Sequence, residues 1–342
     1  MMTSMERILA VCNHELPDRI PFLLSTREFG MKYAGFSLSQ AFTDPDSFIG
    51  AQIKVRQDFN QDGVWDINAV PVVDEALGAK LVFPEDDSPY VDYNPFLKSL
   101  AELDKLKLVN PNTDGRMPYM LSLVQKLKAA AGPDVPLFAW VSQPFRSACM
   151  LRGEANFYRD LIRHPNEARE LLSFLTDNLI AYGKALIDRG ADIIHTSNPV
   201  ANTECISLKH YREFVHPYSK RFLGSLKEYG AKKTMYHTCG CWSDRLDLVC
   251  EENVDIIHFD EIAISEFKQR FSDKVVAFGN LHTVDVLHQG TTETAAEAAL
   301  QCIKDGKAGG RFILSANCSV PRDTPPENIR AICRVHEKYG KY

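Results

Sequence analysis

The stretch ADIIHTS, residues 191–197, begins apolar and β-branched and turns polar within three residues. Ahead of it, ANFYRDLIRHPNEARELLSFLTDNLIAYGKALIDRG (155–190) carries apolar positions spaced three and four apart and ends on Gly190. That is the pattern of an amphipathic helix stopped by glycine just before a buried strand. The same alternation recurs along the chain. Working outward, the apolar runs are LFAWVS (137–142), GVWDI (63–67) and PFLLS (21–25) on one side. On the other are KTMYHT (233–238), VDIIHFD (254–260), VVAFGN (275–280) and RFILSAN (311–317). Short runs rich in β-branched and aromatic residues suit parallel strands covered on both faces.

Eight such runs separated by helix-like segments predict an α/β fold, a (β/α)8 TIM barrel, with a doubly wound open sheet as the other architecture this count allows. The 342 residues are read as a single domain, 1–342, with an N-terminal extension before the first run. Residues 68–135, rich in Pro, Asp and Lys, fit poorly as one βα unit and predict an elaborated connection. Near the end, Thr324-Pro325-Pro326-Glu327 predicts a helix start, with Thr324 as cap, Pro325 in the first helical position and Glu327 completing a capping box.

A net charge of −6 without a basic stripe offers no electrostatic reason to expect nucleic acid or an anionic membrane as partner. The apolar runs are far too short to span a bilayer. Glu6 and Arg7 stand where a signal peptide needs its apolar centre. The expected location is the cytoplasm, where the nine cysteines stay reduced as core fillers, metal ligands or reactive thiols.

In a barrel, the residues that end the strands share one rim, and active sites collect there. His237 ends the KTMYHT run, Cys239 lies two residues on, and Cys318 follows RFILSAN. Two thiolates and an imidazole suit zinc, with the fourth position left to a carboxylate, water or substrate. The bland reading is that these cysteines are small core residues. Cys239 and Cys241 are one residue apart, so they are not a C-x-x-C redox pair, and Cys241 is expected to pack at the next helix start. Cys12, Cys149, Cys205, Cys250, Cys302 and Cys333 are read as structural. Asp260, Asn280 and His282 fall on the same rim; Glu261 is expected to point away. His195 either faces the rim or hydrogen-bonds inside the barrel. Arg27 and Glu28 either orient an anionic substrate or pair together, and His258 reads as a satisfied core histidine. Walker, GxGxxG, GxSxG and HExxH motifs are absent from the sequence.

Across nearly its whole length the chain resembles the uroporphyrinogen decarboxylase superfamily. The resemblance is carried by ERILAVCNHELPDRIPF (6–22), DGVWDINAVPVVDEALGAKLVF (62–83), the GAD of 190–192 and ISLKHYREFVHPYSKRF (206–222). VAFGNLHTVDVLHQGT (276–291) and CSVPRDTPPENIRAI (318–332) extend it. The family fold is a (β/α)8 barrel. The decarboxylases' arginine-rich segment corresponds to LLSTREFG (23–30), which has one arginine, and their catalytic aspartate falls at Ala69. Their tyrosine corresponds to Cys149 or Met150, and their histidine to Cys318. These four departures argue against porphyrinogen decarboxylation.

His237, Cys239 and Cys318 instead match the zinc pattern of the branch containing methylcobamide:coenzyme M methyltransferases. That resemblance implies Zn²⁺ as cofactor and a methylated corrinoid, held on a separate corrinoid protein, as methyl donor. A small thiol or similar acceptor takes the methyl group. Asp260 matches the carboxylate that can complete the zinc shell. From their places in the chain, His195, Asn198, Asn280 and Arg27 are the expected substrate-binding residues. The other readings are a decarboxylase-like enzyme acting on a tetrapyrrole, a non-catalytic corrinoid-binding component, and methyl transfer to a folate.

Overall fold

The computed structural model describes residues 1–67, 69–85, 87–92 and 94–342. Its strands are β1 (Val64–Trp65), β2 (Leu81–Val82), β3 (Tyr90–Val91), β4 (Leu137–Trp140), β5 (Ile193–Ser197), β6 (Lys233–Thr238), β7 (Ile256–Phe259), β8 (Val276–Leu281) and β9 (Phe312–Ala316). Seven of them form one parallel sheet in the order β1-β4-β5-β6-β7-β8-β9. The order never reverses, which rules out the doubly wound alternative, whose strand order turns back at a switch point.

Of the eight strands expected, seven pair as a regular curled parallel sheet. The run 21–25 meets β9 through a single parallel bridge, Phe22 with Leu314. Toward β9 the Leu23 N–H bonds to Leu314 O at 3.1 Å and the Leu314 N–H to Pro21 O at 2.9 Å. On the other side the Phe22 N–H is taken by the Asp62 carboxylate at 2.9 Å and the Leu24 N–H by Gln61 Oε1 at 2.6 Å, so no ladder forms toward β1.

Aspartates placed just ahead of strands organise the N-terminal ends of the sheet. Asp192 accepts the Leu137 N–H of β4 at 3.0 Å, and Asp255 accepts the Thr234 N–H of β6 at 2.8 Å. Each carboxylate satisfies a backbone donor at a strand start that would otherwise be buried without a partner. Lys128 and Lys232 pair with Asp192, and Lys227 with Asp255.

Side-chain alternation then divides the inner face into two layers. Leu23, Trp65, Phe138, Ile193, Met235, Ile256, Val276, Phe278 and Ile313 form an apolar inner cluster, joined by Ile8 and Val11. These last two come from the helix Ser4–Cys12, whose Met5 N–H bonds to Asp134 O just ahead of β4. The helix therefore covers the N-terminal end of the sheet. Two residues further along the strands, the same face presents His195, His237 and His258. The larger outer core packs the sheet against the helices. Among the described residues, no helix is long and apolar enough to cross a membrane.

The connection 68–135 holds the antiparallel β2–β3 pair, short helices and the helix Met117–Ala131. The long helical segment 155–190 is broken at His164, because Pro165 cannot continue a helix and instead opens Pro165–Asp188. The predicted cap at Thr324 is also corrected. The helix runs Pro326–Tyr339 with Pro325 as N-cap and no side-chain cap bond, since two consecutive prolines shift the start by one residue. A full capping box occurs instead at Thr3 and Glu6.

Ile256 is fully buried in the inner apolar layer, so Ile256→Ala should lower unfolding free energy by about 2–5 kcal/mol. Thr3→Ala should cost about 1 kcal/mol. Denaturant titrations of the two variants check this order.

Candidate metal centre

Strand β6 ends in His237 and Thr238, and Cys239 is the first residue beyond it. Cys318 lies two residues beyond β9. The Nε2 of His237 and the two sulfurs all lie within 4.8 Å of one another. His237 Nε2 and Cys318 Sγ are 3.6 Å apart. A tetrahedron with zinc–sulfur legs of about 2.3 Å and a zinc–nitrogen leg of about 2.0 Å has edges of roughly 3.5–3.8 Å. The donor set and its spacing fit zinc.

The backbone aims the imidazole. His237 Nδ1 faces the carbonyl oxygen of His258 at 3.2 Å, an arrangement in which Nδ1 donates and Nε2 is turned toward the sulfurs. His258 itself is buried, with Nε2 against Ala316 O at 2.8 Å and its ring 4.3 Å from that of His237. It is the satisfied core histidine expected.

The three groups share protons unevenly. A hydrogen bond from Cys239, against an opposing burial effect and with help from His237, pulls the Cys318 thiol well below its ordinary value. The bond to Cys318, then burial, hold Cys239 above its ordinary value. Burial disfavours a charged His237, but the adjacent Cys318 raises its pKa all the same. The arrangement is thus a thiolate flanked by a thiol and an imidazole that favours its proton.

Asp260 stands immediately beyond β7 and faces this centre, although its oxygens lie outside the 4.8 Å cluster. Both are hydrogen-bonded, Oδ2 to Gly240 N at 3.0 Å and Oδ1 to Asn317 Nδ2 at 2.6 Å. Asn280 spends its amide on the carbonyls of Asp260 and Ile262. His282 is exposed near Asp285, and Glu261 is exposed as expected.

The opposite side of the mouth is polar and buried. His195 is 6% exposed, edge-on to the Trp65 ring, with neither ring nitrogen hydrogen-bonded. Burial, with nearby His237 and Arg146, drops its pKa to about 3, so it is neutral. Asn198 is fully buried and its amide lies near the Tyr236 hydroxyl. Arg27 pairs with Glu28 and donates to Ser88 Oγ.

Arg146, which the sequence reading missed, belongs here. Its Nη1 donates to Ser197 Oγ at 2.9 Å, its guanidinium lies 5.0 Å from the Trp140 ring centroid, and its Nε has no partner. Among the described residues no carboxylate is within ion-pair distance of it. It also lines a cavity of about 570 Å³ between the β2–β3 pair and the helix Pro144–Arg152. Its place just after the LFAWVS run was the available signal, because residues following a strand in such a sheet reach the rim.

Cys241 is half-buried with its sulfur 3.5 Å from Ser243 Oγ, outside the cluster. Cys12, Cys149, Cys250, Cys302 and Cys333 sit on helices. Cys205 is exposed in a turn.

The uroporphyrinogen decarboxylase (URO-D) family profile matches residues 3–339. The methylcobamide:CoM methyltransferase MtbA of Methanosarcina mazei is 30% identical over 243 residues, covering 71% of this chain and 70% of that protein. A uroporphyrinogen decarboxylase of Dechloromonas aromatica is 28% identical over 289 residues, covering 81% and 78%. Among solved structures, a methyltransferase from Methanosarcina mazei superposes with a TM-score of 0.90 at 21% identity over 99% of each chain, a likeness of fold.

Metal binding must displace the protons that His237 and Cys239 hold above their ordinary values. Zinc affinity should therefore rise from about pH 6 to about pH 8, with protons released to buffer. Calorimetry in buffers of different ionisation enthalpy measures this; affinity that is flat or falls with pH would contradict the assignment.

Proposed function

The chain belongs to the uroporphyrinogen decarboxylase family, and we propose that within it the protein is a zinc-dependent methyltransferase. In this reading it moves a methyl group from a methylated corrinoid, carried by a separate corrinoid protein, to the sulfur of a small thiol. The observation that carries the reading is the convergence of His237, Cys239 and Cys318 within 4.8 Å. The resemblance puts Cys318 where decarboxylases have a histidine, and a methyltransferase stands among the relatives.

Zinc held by these three residues favours the thiolate form of an incoming thiol, and two thiolate ligands leave that sulfur electron-rich. The chain's own residues do the rest. His258 O holds the His237 ring so that Nε2 keeps its direction. The apolar layer beneath, with Trp65 and Phe278, keeps water from the floor of the mouth. Neutral His195 and Asn198 offer hydrogen bonds to the body of the acceptor without adding charge. In the transfer the sulfur–methyl bond forms as the cobalt–carbon bond breaks, the bonding pair remains on cobalt, and the thiol proton leaves to solvent. Holding sulfur and methyl in line makes an encounter of two molecules into a positioned reaction.

Arg146 supplies a cation without an ion-pair partner beside this sulfur site and suits an acceptor with an anionic end. Removing it should cost about 1.5–3 kcal/mol of a charge-assisted hydrogen bond, roughly 10–100-fold in KM. Arg146→Met should raise KM for 2-mercaptoethanesulfonate and leave that for 2-mercaptoethanol nearly unchanged. Equal rises for both thiols would remove Arg146 from substrate recognition.

The decarboxylase reading draws on the match to the Dechloromonas aromatica enzyme. Metal analysis coupled to methylcobalamin demethylation with a panel of thiols separates the two. We expect bound zinc and thiol-dependent formation of cob(I)alamin, with Cys318→Ala losing both. Metal-independent loss of carboxylates from uroporphyrinogen, undisturbed by Cys318→Ala, would favour decarboxylation.

A further inference from the structure

The two sulfur ligands stand on turns, whereas His237 is inside a paired strand. His237 is opposite Ser197 on one side and His258 on the other. Cys239 and Cys318 lie beyond the last residues of β6 and β9, where no ladder holds them. Two thiolates brought together at a metal also repel one another, so something must set their separation before the metal arrives.

Asp260 makes that connection. Its Oδ2 accepts the N–H of Gly240, the residue after Cys239, at 3.0 Å. Its Oδ1 accepts from the amide of Asn317, the residue before Cys318, at 2.6 Å. Each partner is itself fixed. Gly240 has φ +78°, a left-handed conformation, and a Cβ there would come within 3.1 Å of Asn202 Nδ2. Asn317 donates its own N–H to Leu281 O at 2.8 Å, and its side-chain oxygen accepts the Thr283 N–H at 3.0 Å. Asn280 Nδ2 reaches the Asp260 carbonyl at 3.2 Å. One carboxylate thus spans the turns that carry both cysteines, braced from β8 and from the residues after it.

We propose that Asp260 and Asn317 form a clamp that sets the Cys239–Cys318 separation, making them positioning residues of the metal centre. This replaces the sequence expectation of Asp260 as an exchangeable ligand, and it rests on the reading that the site takes zinc. Outer partners of metal ligands typically carry about 10–100-fold in affinity. The clamp assigns such a share to Asn317, a residue with no ligand chemistry of its own in this site.

The test is zinc affinity by chelator competition on the full chain, with X-ray absorption of the zinc-loaded, thiol-free protein. Asn317→Ala and Asp260→Asn should each weaken zinc binding about 10–100-fold. The double variant should be little worse than the weaker single one, because the two residues act as one connection. X-ray absorption should show two sulfur donors and one imidazole at unchanged distances in wild type and Asp260→Asn. The cobalt(II)-loaded variants should show shifted, broadened visible bands, a change that loss of general stability would not produce. Asn317→Ser, which keeps a short hydrogen-bonding group, should fall between wild type and Asn317→Ala and guards against a misfolded alanine variant. Wild-type affinity in Asn317→Ala and Asn317→Ser overturns the clamp while leaving the metal centre standing. Loss of an oxygen donor in Asp260→Asn alone also overturns it and restores Asp260 as a ligand. A wild-type chain that binds no zinc overturns the metal reading and the clamp together.

Discussion

The parallel register that sets Ser197 opposite His237, and His237 opposite His258, decides what the mouth of this protein contains. Alternation along each strand places one residue in two on the inner face. The lower inner positions, Ile193, Met235, Ile256 and Val276, are apolar and share a packed layer. The next inner positions on the first three of those strands are His195, His237 and His258. A slip of one residue in β6 would turn His237 outward among helices and bring Tyr236 inside. The apolar layer therefore does more than stabilise the sheet: burying it in one register is what directs the imidazoles upward.

Above that layer the two halves of the rim differ in electrostatic character. On the side of β6, β7 and β9, two sulfurs and an imidazole lie within 4.8 Å of one another, with the Asp260 carboxylate behind them. On the side of β4 and β5, Arg146 contributes a positive charge among neutral buried groups, His195, Asn198 and Gln143, that lack hydrogen-bond partners. Buried polar atoms without partners are costly. They are tolerated where a ligand completes them, and His195, Asn198 and Gln143 are such groups.

The same fold serves relatives that decarboxylate and relatives that transfer methyl groups, so the architecture alone does not choose between these chemistries. In this chain a cysteine after β9, together with the His-x-Cys of β6, makes a rim whose donors suit a thiophilic metal.

Much of this was legible in the sequence. Short β-branched runs with helical segments between them determine a parallel α/β sheet, because only strands covered on both faces read as continuous apolar stretches. His237, Cys239 and Cys318 could be singled out because residues that end such strands must share a rim. Tertiary structure decided the rest. PFLLS forms no ladder with β1, where the Asp62 carboxylate takes the Phe22 N–H, a contact between groups forty residues apart. Arg146 acquired significance only once folding left it beside Ser197 without a carboxylate partner. Asp260 and Asn317, adjacent in no linear sense, became one device when two turns closed on the same carboxylate. Periodicity reports which face a residue occupies, since that is fixed by local backbone geometry. Hydrogen-bond partners are chosen by the whole fold, through approaches that no local pattern encodes.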